Sequence, residues 1–263
     1  STPSSCRMIW LGLDFWPGVT STYSFCGSLL ALGVAHYLLL GFLRQVGPWK
    51  KGKPIDDNLV WFTMHAVANA FVVGYGMRDT LYLLTHPLEA YGPSLGLTQG
   101  IVMAVHLYHV LGFKLSWDDK IHHGISVGVV GTMAYMFRWG RVINAMNFFV
   151  CGLPGGLDYA LLAAVKANLI SKIAEKRINL WLQVAIRWPG MLLCLNHAVV
   201  SKLHGGDDVS VGWIPIMMVL VLHGWNGLYY AQRVCGNTYV TEHILKSESG
   251  HDSVHNKQRS KAG

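Results

Sequence analysis

From His106 to His123 the chain reads His-Leu-Tyr-His-Val-Leu-Gly-Phe-Lys-Leu-Ser-Trp-Asp-Asp-Lys-Ile-His-His. His106 and His109, three residues apart, end one apolar run. Lys114, Asp118, Asp119 and Lys120 mark a short polar turn, and His122 and His123 open the next run. Four imidazoles and two carboxylates are thereby brought to one place. Imidazole exchanges a proton near neutrality without help from its surroundings, which is what acyl or proton transfer asks of a base. If the helix carrying the pair extends back through Asp119, that carboxylate stands i,i+3 and i,i+4 from the two rings and can orient one of them. One imidazole then acts as base or nucleophile, while the second ring or Asn147 steadies the oxyanion. The structural alternative is that Asp119 caps the helix and the histidines bond across helices.

The elements that must position these groups are apolar and long. Hydrophobic residues make up 52% of the 263 and charged residues only 13%, far from the balance of a soluble domain. Uncharged runs cover 15–43, 58–77, 90–113, 121–137 and 209–232, and about 20 apolar residues cross a bilayer as a helix. The expected fold is all-α and polytopic, with about seven transmembrane helices around a central polar or lipid cavity. The helices are expected at 19–43, 58–76, 95–113, 121–137, 142–165, 178–201 and 209–232. Gly152-Leu-Pro-Gly-Gly156 predicts a kink or break in the fifth, because proline removes a donor and frees a carbonyl. Three regions follow: an interfacial segment over 1–18, whose prolines and aromatic residues suit a lead-in better than a cleavable signal; the membrane domain over 19–235; and a polar tail over 236–263, expected to be disordered and cytosolic.

Charge orients this arrangement. Of the 21 Lys and Arg residues, five fall on the N-terminal side of the seven-helix scheme, fifteen on the opposite side, and Arg187 lies inside a helix. Positive charge accumulates on the cytosolic face, so the N-terminus is expected to be lumenal or outside and the tail cytosolic. The net charge of +7 is accordingly a topology signal. The bases are not gathered on one soluble module, so nucleic acid is not an expected partner. The five cysteines have no zinc or CxxC spacing and imply no disulfide framework. Cys235, just past the seventh helix, is either a free thiol or a palmitoylation site.

Depth along the helices singles out further candidates. At 1.5 Å per residue from the nearest cytosolic charge, His122 and His123 lie roughly 3 to 5 Å in, His109 roughly 7 Å, and His36, His65, His106 and Asp158 roughly 12 Å. Arg187 and His223 lie roughly 15 Å in on the same scale. Only His197 falls near the other face. Ionisable groups inside a membrane face the bundle interior or a wet cavity, so a polar cavity opening toward the cytosol is expected. His65, His106, His109, Asn147, Asp158, Arg187 and His223 are its candidate substrate-binding residues, and His122, His123 and Asp119 its candidate catalytic ones. Asp158 and Arg187, deep in adjacent helices, are expected to meet directly or through water.

These residues also carry a resemblance. Asp-Asp-Lys-Ile-His-His (118–123), the helix after it with Asn144 and Asn147, and the terminal helix ending Leu-His-Gly-Trp-Asn-Gly-Leu-Tyr-Tyr (222–230) resemble the TLC domain shared by ceramide synthases, translocon-associated TRAM proteins and their relatives. The resemblance covers about residues 20–235. It implies seven or more helices around a lipid-accommodating cavity. In ceramide synthases the paired histidines support acyl transfer from a coenzyme A thioester to a sphingoid amine, and by position His122 and His123 match that pair. The ceramide synthase signature of His-Asp followed by a second Asp is missing, since residues 147–159 hold Asp158 as their only acid. The chain therefore resembles the short TLC-only proteins more than the ceramide synthases.

The expectation is a lipid-handling membrane protein that binds an acyl lipid, with acyl-CoA as co-substrate and no resident cofactor or metal. Whether it is an enzyme stays open. A non-catalytic subunit with protein partners in a larger membrane complex fits the same residues, and so does a bis-histidine haem protein using, for example, His65 and His106. A di-iron centre would need more histidine boxes than one HxxH and one His-His. The final residues Arg-Ser-Lys-Ala-Gly resemble a dibasic retrieval signal and favour the endoplasmic reticulum.

Overall fold

The computed structural model describes residues 19–46, 49–206 and 209–259, with side chains described over 22–46, 49–206 and 209–244. The interfacial segment expected over 1–18 and the last four residues lie outside the described residues. Among those described there are helices and loops and no strand. The helices form seven rods: α1 (Val19–Leu43), α2 (Asp57–Thr85), α3 (Leu97–Gly112), α4 (117–136), α5 (Arg141–Lys166), α6 (Lys172–Gly205) and α7 (Trp213–Arg259). Five of them, α1, α2, α5, α6 and α7, are long and apolar enough to cross a membrane, and α3 is apolar but shorter. The outward faces suit a lipid environment, with Leu30, Leu38 and Phe42 of α1 60–73% exposed. The last helix continues to Arg259.

Three rods, α2, α4 and α6, begin at a capping side chain. Asp56 accepts from Asn58 N at 2.8 Å at the start of α2, and Ser171 accepts from Ala174 N at the start of α6. These side chains satisfy amide groups that the first helical turn leaves unpaired. Three rods are interrupted by a wide π-helical turn: Ser126–Gly131 in α4, Phe148–Gly152 in α5 and Leu182–Arg187 in α6. Two of these end just before a proline, Pro154 and Pro189. Proline cannot continue the hydrogen-bond ladder, and the extra residue in the preceding turn absorbs the misfit without ending the helix. The break expected around 152–156 thus takes the form of a π turn.

Six rods close into a ring. α2 packs on α3, α3 on α4, α4 on α7, α7 on α6, α6 on α5, and α5 back on α2, while α1 lies outside against α3 and α2. The α2–α5 crossing is close because α5 presents Gly155 and Gly156 there. A Cβ on either would lie 3.1–3.2 Å from Asn69. Small residues at such crossings let backbones approach.

The two ends of the ring are closed differently. At one end the 86–96 loop folds inward. Ala90 is fully buried, its amide donates to Ser201 Oγ at 3.0 Å, and its carbonyl accepts from Val142 N at 2.9 Å. Gly140 makes this plug possible, since at φ +63 a Cβ would come within 2.5 Å of the Tyr91 carbonyl carbon. At the other end three ion pairs join ring neighbours: Lys166–Asp56 (α5 to the α2 cap, 2.8 Å), Arg177–Glu242 (α6 to α7, 2.7 Å) and Arg233–Asp118 (α7 to α4, 2.7 Å).

Candidate functional site

The ring encloses a cavity of about 250 Å³ to which all six of its rods contribute. α2 supplies His65 and Asn69, α3 Gln99 and His106, α4 Asp119 and His122, α5 Asn147, Asp158 and Tyr159, α6 Arg187, and α7 His223, Asn226 and Tyr230. Every π turn also reaches it, through Ser126 and Gly131, through Val150 and Cys151, and through Arg187. A π turn unwinds the register by one residue and turns side chains inward that an unbroken helix would carry elsewhere.

Of the ten residues singled out from the sequence, eight line this cavity: His65, His106, Asp119, His122, Asn147, Asp158, Arg187 and His223. His109 and His123 do not. They stand one layer behind, joined to each other with 2.9 Å between His109 Nδ1 and His123 Nε2. His36 is elsewhere, on α1, with its Nδ1 2.9 Å from the Tyr108 hydroxyl and its ring stacked on Phe113.

The histidines are held as a group. His109 lies flat on Trp61 at 4.0 Å, and His65 lies flat on Tyr159 at 3.8 Å. His106 donates from Nδ1 to the Val102 carbonyl at 2.7 Å, which leaves its Nε2 with a lone pair. Its ring is 5.2 Å from that of His123 and 5.9 Å from that of His122, and His122 and His123 are 5.4 Å apart. His65 is 6.0 Å from His106, nearly perpendicular to it. The ligand nitrogens of His106, His122 and His123 all lie within 4.8 Å of one another.

Asp119 has its hydrogen bonds elsewhere. α4 does extend back through it, but its Oδ2 accepts from the Ser116 amide at 3.1 Å and hydroxyl at 2.6 Å, and its own amide donates to Ser116 Oγ. This is a capping box. Ring orientation at His123 comes instead from His109.

Deeper in, Asn147 belongs to a chain of bonds. Its Nδ2 donates to Thr98 Oγ1 at 3.0 Å and Gln99 Oε1 at 3.1 Å, and Gln99 Nε2 donates to the Gly131 carbonyl at 3.2 Å, inside the π turn of α4. Asp158 Oδ1, Arg187 Nε, His65 Nδ1 and Asn69 Nδ2 are buried without a hydrogen-bond partner. Asp158 and Arg187 share the cavity, yet among the described residues they form no direct ion pair. Groups left unpaired around one cavity are what a bound polar head or ordered water would satisfy.

Asn69, Gln99, Tyr159, Asn226 and Tyr230 are site residues that the sequence reading did not select. For three of them the signal was helical spacing. Asn69 follows His65 by four, and Asn226 and Tyr230 follow His223 by three and seven, so each falls on the face of a histidine already chosen.

No family model matches the chain, and neither a curated protein nor a solved structure does.

Proposed function

We propose that this chain is an integral membrane protein of TLC type that binds an acyl lipid inside the six-helix ring and catalyses acyl transfer with the help of the His122/His123 pair. All seven rods cross the membrane in this reading, with the tail cytosolic and the endoplasmic reticulum as the favoured membrane. The observation that carries it is the mixed lining of the cavity. His106, His122, Asp119, Asp158 and Arg187 supply polar groups, and Val102, Met103, Val130, Ile143, Met191 and Leu222 supply apolar ones. A polar head with an attached acyl chain calls for both, and burial of the chain among apolar side chains is what would hold it.

The roles follow from placement. His122 faces the cavity and is the base that meets the substrate. Its Nδ1 is 3.2 Å from Ser126 Oγ, and Asn226 is a further partner of the ring, so that two neighbours fix it in place. His123, backed by His109, stands behind it and positions it. Acyl-CoA is the expected acyl donor, entering at the end that carries the three ion pairs.

The test is mass spectrometry of lipids from membranes of cells making the wild type, His122→Ala or Asn144→Gln, together with lipids extracted from each pure protein. A lipid-product change that His122→Ala abolishes and Asn144→Gln retains supports catalysis. Retained lipid binding with no product change in any variant leaves a lipid-binding protein and refutes the enzyme. A pure wild-type protein with no acyl lipid refutes both.

A further inference from the structure

We infer that His106, His122 and His123 form a binding site for one divalent transition-metal ion, of the class that favours imidazole nitrogen, with zinc first among them. The inference stands on the geometry of the rings and does not require the lipid reading.

Each ring has one nitrogen held by a neighbour. His106 gives its Nδ1 proton to the Val102 carbonyl, His122 has Ser126 Oγ on Nδ1, and His123 has His109 on Nε2. The other nitrogens are His106 Nε2, His122 Nε2, on a ring that Asn226 also hydrogen-bonds, and His123 Nδ1. The last is buried without a partner, in a residue only 8% exposed. Metal-binding histidines characteristically have the second nitrogen held by a carbonyl or another side chain, which sets the tautomer and aims the ring. Here all three rings already have that support.

The ring separations also suit an ion. With zinc–nitrogen bonds of about 2.0–2.1 Å, a ring centroid lies about 3.2 Å from the ion, so two imidazoles on a tetrahedral ion have centroids about 5.2 Å apart. The three observed separations are 5.2, 5.4 and 5.9 Å. The rings are thus already spaced about one ion, with one nitrogen of each within 4.8 Å of the others.

The setting suits one as well. His106 and His122 line the cavity and His123 stands behind them, so a fourth coordination position faces the cavity. Three protein ligands with one open position is the pattern of a reactive zinc site, whereas structural sites are closed by four. The carboxylates of Asp119 and Asp158 line the same cavity, and Asp119 acts electrostatically on His109 and His123. They offset the charge of the ion and of Arg187. With an ion bound, His122 and His123 are ligands and no longer free bases. The ion then supplies what they would have supplied, polarising a lipid carbonyl or lowering the pKa of a bound water. HxxH and His-His did not reveal this site because its ligands come from two rods across a turn.

The test uses the full chain, purified in detergent, stripped with a chelator and titrated with Co²⁺ and then Zn²⁺. One Co²⁺ per chain with the intense visible absorption of a tetrahedral nitrogen-ligated ion, displaced by Zn²⁺, is expected. His106→Ala and His123→Ala should each lose it, His197→Ala should keep it, and His109→Phe should weaken it about 10- to 100-fold. X-ray absorption of the zinc-loaded wild type should fit three imidazoles. That measurement needs no variant, so it decides the matter even if a substitution unfolds the protein. Overturning results are a sulfur scatterer from Cys151, fewer than three imidazoles, no saturable binding, or undiminished affinity in His106→Ala. Lipid extraction is read separately, so failure of the metal site leaves the lipid reading standing, and the reverse also holds.

Discussion

His123 is backed by His109, whose Nδ1 lies 2.9 Å from its Nε2, and His109 is itself laid against Trp61 at 4.0 Å. A rigid aromatic face on α2 thereby fixes a ring on α3, and that ring fixes one on α4. His109→Phe keeps the stacking surface but removes the bond. It leaves His123 Nε2 buried and unpaired, which costs about 1–3 kcal/mol. The expected outcome is a folded protein with a lower unfolding midpoint in calorimetry and a reduced lipid-product change. An unchanged product profile would mean that His109 serves packing alone.

A second network ties the plugged end of the ring to the cavity. Asn144 Nδ2 donates to Asp79 Oδ2 at 2.6 Å and Ser94 Oγ at 2.7 Å, and Asn144 Oδ1 accepts from Thr98 Oγ1 at 2.6 Å. Asn144 is 3% exposed, and four segments meet on it. Asn144→Leu removes three bonds and strips the Asp79 carboxylate of one donor, so a loss of about 3 kcal/mol is expected. Adding Asp79→Leu should restore part of it, because the carboxylate left with Ser94 alone is gone. Reversible unfolding in mixed micelles measures both.

Much of this arrangement was readable in residue types. The uncharged runs located α1, α2, α3, α4 and α7, and eight of the ten candidate residues line one cavity. Layering was not readable. His122 and His123 are adjacent in sequence, yet one faces the cavity and the other is buried behind it, because successive residues on a helix point about a quarter-turn apart. The role of Asp119 turned on Ser116 three residues earlier, whose hydroxyl and amide took the carboxylate that an imidazole would otherwise have had. The π turns were half legible: Pro154 announced one, whereas the turn at 126–131 has no proline and rests on packing, with Gly131 facing Met103 where a Cβ would lie 2.5 Å from the sulfur.

Acid should loosen the charged end first. The Lys166 ammonium bonded to Asp56 holds that carboxyl below its ordinary value, with help from the Asn58 amide and against partial burial. A carboxyl with a depressed folded pKa stabilises the fold above its unfolded pKa and loses that contribution as pH falls through the folded value. The window is therefore below about pH 4. Asp56 is largely exposed, so screening limits the pair to a few tenths of a kcal/mol. Asp56→Asn keeps a cap acceptor but not the ion pair, and its stability should fall less between pH 5 and pH 3 than that of the wild type, by about that amount. Thermal scans across that range test it.

Topology gives a prediction independent of any site. The fifteen-to-five division of basic residues predicts that the end of α6 at Leu203 and the 167–171 turn lie on opposite sides of the membrane. In a cysteine-free background that retains lipid binding, single cysteines at Leu169 and Leu203, 77% and 67% exposed, should react with a membrane-impermeant maleimide from opposite faces of sealed vesicles. Labelling of both from one face would refute the seven-span arrangement.

Asp158 and Arg187 offer the most informative pair of substitutions. They line one cavity, form no direct ion pair among the described residues, and leave Asp158 Oδ1 and Arg187 Nε unpartnered. Two opposite charges in a low-dielectric space still compensate each other at a distance, so Arg187→Gln alone leaves a carboxylate without its counter-charge. Arg187→Gln should therefore destabilise more than Arg187→Gln with Asp158→Asn, with a coupling on the order of 1 kcal/mol, smaller than for a bonded buried pair. If the gap between them is where a lipid head binds, the coupling should shrink further when the cycle is repeated with lipid-depleted protein in which water fills the gap. A coupling that is the same with and without lipid would place the bound head elsewhere in the cavity, and strictly additive losses would mean that the two charges have separate partners.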